Sequence, residues 1–84
     1  MNTEQNIILQ AIETRFLAPT NTLGSRVVAV SCGGSRLTLA WSHDLDAAAN
    51  HRAVAVALMR RLGWGGRLVT GTLKHSYVHV LLGE

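Results

Sequence analysis

The chain has 84 residues, which is enough for one domain with a single modest core. A hydrophobic fraction of 48% against 15% charged residues excludes a disordered segment, and one cysteine excludes an internal disulfide. Seven arginines and one lysine oppose five acids; the resulting +3 allows an acidic partner without requiring one.

Residues 1–6 are polar and are expected to fray. The first fourteen residues contain no Lys or Arg, which argues against a signal peptide. The longest purely apolar run, residues 53–59, is too short to span a bilayer. The expected compartment is therefore the cytoplasm.

Residues 7–17 fit two periods. Ile8, Ala11, Ile12, Arg15 and Phe16 would share a helical face, whereas Ile12, Thr14 and Phe16 alternate with Ala11, Glu13 and Arg15 as in a strand. A strand over residues 10–17 is favoured because partner strands follow at once. Pro19 and Gly24 punctuate a turn-rich loop. Residues 25–32 read as a strand, with Val28 and Val30 on one face and Val27 and Ala29 on the other. Gly33-Gly34-Ser35 is a tight hairpin turn. Residues 36–41 return, with Leu37, Leu39 and Trp41 opposite Arg36, Thr38 and Ala40.

Residues 44–63 form the one long helix. Asp44 or Asp46 caps its start, Arg60 and Arg61 suit its carbonyl end, and Gly63 falls at a C′ position. At 100° per residue, Ala47, His51, Val54, Ala55, Leu58 and Leu62 share a face. Arg52, Arg60, Ala49 and Ala53 lie opposite, with Val56 out of pattern among them. His51 is expected inside, held by a backbone carbonyl or by a neighbour such as Asn50. Gly63-Trp64-Gly65-Gly66 is a turn carrying one aromatic. Residues 67–73 and 76–82 make a second hairpin about Lys74-His75, with Gly71 marking a bulge or an edge.

The element order is β-β-β-α-β-β. Short connections favour antiparallel neighbours, so the expected fold is α+β: one antiparallel sheet with the helix across one face. The other face is left to water, a second subunit or a ligand.

Two segments together carry a resemblance: Pro19-Thr20-Asn21-Thr22-Leu23-Gly24-Ser25-Arg26, and Asn50-His51-Arg52 followed by Leu62-Gly63-Trp64-Gly65-Gly66-Arg67-Leu68-Val69-Thr70-Gly71. They resemble a group of small uncharacterised proteins carried on proteobacterial phages, plasmids and integrated elements. The resemblance implies a mobile-element setting, in which nucleic-acid binding and inhibition of a host defence complex are both open. It implies no catalytic residue.

The residues themselves give little chemistry. His75 and His79, four apart in a strand, stand about 13 Å apart, too far for one metal ion. They read as surface or edge histidines. Cys32 has no partner cysteine and reads as a small half-buried apolar residue. His43-Asp44 looks like an acid/base pair, but Asp44 already serves as a capping candidate. Gly24-Ser25-Arg26 and the turn after the helix match no phosphate-binding fingerprint. No cofactor or metal is expected, and the chain reads as a non-catalytic binding module.

The candidate binding residues are Arg26, Arg36, Arg52, Arg60, Arg61, Trp64 and Arg67. If they converge, they make a basic patch with an aromatic for stacking nucleic acid. Trp and Arg would equally serve a protein interface, in a homodimer or against a host complex, unless Trp64 folds back on the core. A small enzyme or ligand site around His51 is the third reading.

Overall fold

The structure, a computed structural model, describes residues 9–83. The expected fraying of residues 1–6 lies outside them. Five strands and a helix follow in the expected order: β1 Ala11–Leu17, β2 Arg26–Ser31, β3 Arg36–Ala40, α1 Ala47–Arg61, β4 Arg67–Thr72 and β5 Tyr77–Leu82. All pairings are antiparallel, in the spatial order β3-β2-β1-β5-β4. The second strand of the second hairpin, β5, thus inserts beside β1, and β3 and β4 are the edges. Gly71 is paired in register with Val78, so it marks an edge strand and not a bulge.

Helix α1 begins where Asp46 Oδ1 accepts from the Ala49 amide at 2.8 Å. Asp46 is the cap; Asp44 stays outside, its own amide on Ser42 Oγ at 3.3 Å. The helix ends at Leu62, and Gly63 takes the left-handed φ of +74° that stops it.

The buried helix residues are Asn50, His51, Val54, Ala55 and Leu58. This corrects the helical-wheel reading in two places. Ala47 is exposed and Asn50 is buried in its stead. The cause is the loop before the helix, which folds back onto Asn50: its Oδ1 accepts from Ser42 N at 2.8 Å, and its Nδ2 donates to the carbonyls of Ser42, Leu45 and Asp46. Val56 also leaves the outer side assigned to it and packs, half-buried, against the core.

Alternation decides the rest. Ile12, Thr14 and Phe16 of β1 stand in register with Ser31, Ala29 and Val27 of β2, and Leu37 and Leu39 of β3 continue these rows. On the other side Tyr77, His79 and Leu81 of β5 meet Thr72, Thr70 and Leu68 of β4. This is the face that α1 covers. Ile12, Val27, Ala29, Val54, Ala55, Leu58 and Leu68 form the core, with Leu37, Trp41, Leu62, Trp64 and Leu81 packed around it. The helix lies chiefly over β1, β2 and β3 and only reaches β5.

The open face carries Ala11, Glu13, Arg15, Val28, Val30, Val69, Val78 and Val80. Among the described residues, no helix is long and apolar enough to cross a membrane.

Candidate functional site

The strand directions bring four of the candidate arginines to one end of the domain. Arg36 opens β3, Arg67 opens β4 and Arg60 and Arg61 close α1, all at the end where β2 and β5 finish. Arg61 Nη1 lies 3.5 Å from the Arg36 carbonyl, which ties the helix end to the β3 edge. Arg36 and Arg67 mark opposite edges, four strand spacings and a four-residue stagger apart, about 23 Å. Asp44 and Asp46 lie at the other end of the helix.

The remaining candidates do not join this end. Arg26 opens β2 at the opposite end of the sheet, with Nε on the Gly24 carbonyl at 3.2 Å. Arg52 is exposed, but it is not free: its Nη1 reaches β4, 3.4 Å from both the Leu68 carbonyl and Thr70 Oγ1. Trp64 is half-buried against the core, so only part of its indole is open to a partner. Phe16, Trp41 and Tyr77 also stand on the helix-covered face, so no aromatic of the described strands stands on the open face.

A second constellation lies inside. Thr14 Oγ1 sits 2.7 Å from His51 Nδ1 and 3.0 Å from His79 Nε2, and His79 Nδ1 is 2.9 Å from Thr70 Oγ1. Thr14 and His79 have no exposed surface, and His51 is 4% exposed. His79 is therefore not a surface or edge histidine. It is the most enclosed polar residue of β5, because its register places it directly beside Ile12. His51 is held by Thr14, across 37 residues, through the hydroxyl and with a main-chain hydrogen bond there, and not by Asn50. The Tyr77 ring lies against its imidazole at 4.2 Å, and Trp41 meets its edge at 5.9 Å.

One proton arrangement gives each of these four contacts a donor and an acceptor. Arg52 only donates, so Thr70 Oγ1 accepts from it and gives its own proton to His79 Nδ1. His79 Nε2–H then donates to Thr14, and the Thr14 hydroxyl donates to His51 Nδ1. Both imidazoles are neutral in this arrangement. Burial pushes the His51 pKa below 6.5, against the pull of a main-chain hydrogen bond at Thr14. Burial, then the neighbouring His51 and Arg52, push His79 down to about 4.

Cys32 corrects another expectation: it is exposed, just past the end of β2. Among the described residues no three of His, Cys, Asp and Glu gather into a metal-sized group, and no pocket opens at the imidazole chain. His43 and His75 are both exposed and away from it.

No family model, curated protein or solved structure matches the chain.

Proposed function

We propose that this chain is a non-catalytic binding module that holds nucleic acid by its phosphates, with Arg36, Arg60, Arg61 and Arg67 as the contact set. One observation carries the reading: the topology gathers these four at one end, while the two aspartates of the helix start lie at the other. Arginine forks suit phosphate oxygens, and the spread of the set matches several successive phosphates of one strand. Arg26 and Arg52 are left out, the first by position and the second because it is engaged on β4. Trp64 contributes its open edge. The mobile-element setting and a cytoplasmic location belong to the same proposal.

The test is affinity for mixed-sequence duplex and single strands as a function of salt. Four phosphate contacts predict a slope of log K against log salt of about −3.6 on duplex. A flat response, or no binding at low salt, rejects the phosphate-contact model.

A protein partner is the second reading, favoured by the open sheet face. Val69, Val80 and Ala11 form one apolar row across β4, β5 and β1, and Val69 is 49% exposed. A homodimer or a host complex would cover that row. Light scattering across concentration separates the two: a strict monomer at high micromolar concentration removes the homodimer.

A further inference from the structure

We propose that the chain Arg52–Thr70–His79–Thr14–His51 is an acid-released latch that fastens the β4–β5 hairpin beneath helix α1. This inference is independent of the phosphate-binding reading.

The β1–β5 ladder joins the hairpin to the sheet, and its tie to the helix is separate. Helix α1 lies chiefly over β1, β2 and β3, so the hairpin gains little from direct packing beneath it. Leu68 and Leu81 enter the core, and Thr70 and Thr72 beside them are exposed. The side-chain link from the helix to β5 and β4 runs through His51, Thr14, His79 and Thr70, with Arg52 returning from the helix to Thr70.

The proton count makes the link acid-sensitive. A single hydroxyl, Thr14 Oγ1, serves both imidazoles. It can donate to only one and must accept from the other. One added proton is absorbed by reversing the chain: His51 Nδ1–H donates to Thr14, Thr14 donates to His79 Nε2, and His79 Nδ1–H donates to Thr70. A second proton is absorbed only at a cost, although the oxygen has two lone pairs to accept with. Two N–H groups then face one oxygen, whose own proton has lost its acceptor, in a buried site.

Among the described residues no anion relieves that state. The groups facing the cluster are His51 and Arg52 from α1, Thr14 from β1, Tyr77 and His79 from β5 and Thr70 from β4. From β2 and the segment after β3 come Ala29 and Trp41. Glu13 stands on the other face of β1, where Ser76 Oγ donates to it at 2.8 Å and Arg15 lies at 3.1 Å. Asp46 is occupied at the Ala49 amide. Two imidazolium charges would therefore stand beside Arg52 with no carboxylate partner in the cluster, and separation of the hairpin from the helix relieves them.

Amide hydrogen exchange of the full chain at pH 7.5 and 4.5, corrected for the intrinsic pH dependence, tests this. The expected result is a loss of protection in Arg67–Thr72 and Tyr77–Leu82 that exceeds the loss in Arg26–Ser31 and Arg36–Ala40 by on the order of tenfold to a hundredfold. His79→Gln, which cannot take up a proton there, should abolish the excess. Equal losses in all four strands, or an excess that survives in His79→Gln, overturn the proposal. Should that variant not fold, the imidazole ¹⁵N shifts of the unaltered chain decide. Both rings must gain charge over the interval in which the hairpin loses protection; a His79 ring that stays neutral while the hairpin opens overturns the latch.

Discussion

Replacing Thr14 by valine keeps the shape of the side chain and removes one hydroxyl, which strips a hydrogen-bond partner from two buried imidazoles at once. His51 Nδ1 at 2.7 Å and His79 Nε2 at 3.0 Å both depend on that oxygen. Thr14 has no exposed surface, so water does not replace it without rearrangement. A buried polar group left without a partner costs about 1–3 kcal/mol, and here there are two. The methyl that takes the hydroxyl's place returns at most about 0.8 kcal/mol. The net expectation is a loss of roughly 1–5 kcal/mol, against a total of roughly 4–13 kcal/mol for a domain of this size. Urea denaturation at pH 7.5 measures it, with Thr14→Ser as the control. Serine keeps the hydroxyl and deletes one methyl, so it should cost only about 1 kcal/mol. A valine variant within 0.5 kcal/mol of the parent, or a serine variant worse than the valine one, would refute the shared-hydroxyl account.

Three other outcomes follow from the same structure. The His79 value of about 4 lies below the ordinary 6.5, so between them the unfolded chain binds more protons than the native one. Stability should be full above pH 6.5, fall through that window by at most roughly 3 kcal/mol from His79, and level off below pH 4; a profile flat from pH 7 to 4.5 contradicts this. Gly66→Ala should destabilise by about 2–3 kcal/mol, because Gly66 has φ +104° and a Cβ there would collide with the Leu82 carbonyl. Gly63→Ala, with φ +74° and open space around it, should cost only about 1 kcal/mol, and equal costs at the two sites would count against the close β4–β5 approach. Asn50→Asp should be at least as damaging as Asn50→Ala in thermal denaturation, since a carboxylate would face the Ser42, Leu45 and Asp46 carbonyls that Nδ2 now satisfies; a milder aspartate would show that those three bonds matter little.

Much of the fold was legible because its signals are local. Asp46 and Gly63 bracket the helix by cap chemistry, and Leu37, Leu39 and Trp41 declare a strand face by period two. The imidazole chain was not legible. In β5 the inward set Tyr77, His79 and Leu81 alternates with Val78, Val80 and Leu82, and with both sets largely apolar nothing marks the inner one. Which polar side chains then meet depends on the β1–β5 register, where Ile12 stands opposite His79 and Thr14 opposite Tyr77. No short-range pattern encodes a pairing over more than sixty residues. Asn50 escaped for a related reason: its burial comes from the loop of residues 42–46 folding back, not from its angle on the helix. The arginine end stands between these cases. Each arginine was visible as a strand opener or a helix closer, and the topology sorts Arg36, Arg60, Arg61 and Arg67 from Arg26 and Arg52.

The central claim is that phosphate contact is made at that end and not by the basic character of the chain at large. Fluorescence anisotropy with a labelled mixed-sequence duplex, repeated across salt for the parent, Arg60→Glu with Arg61→Glu, and Arg26→Glu, addresses it directly. The account predicts a salt slope reduced by about 2 in the double variant, with most affinity lost, and little change of slope for Arg26→Glu. Equal losses at the two ends would contradict it, as would a double variant that keeps the parent slope.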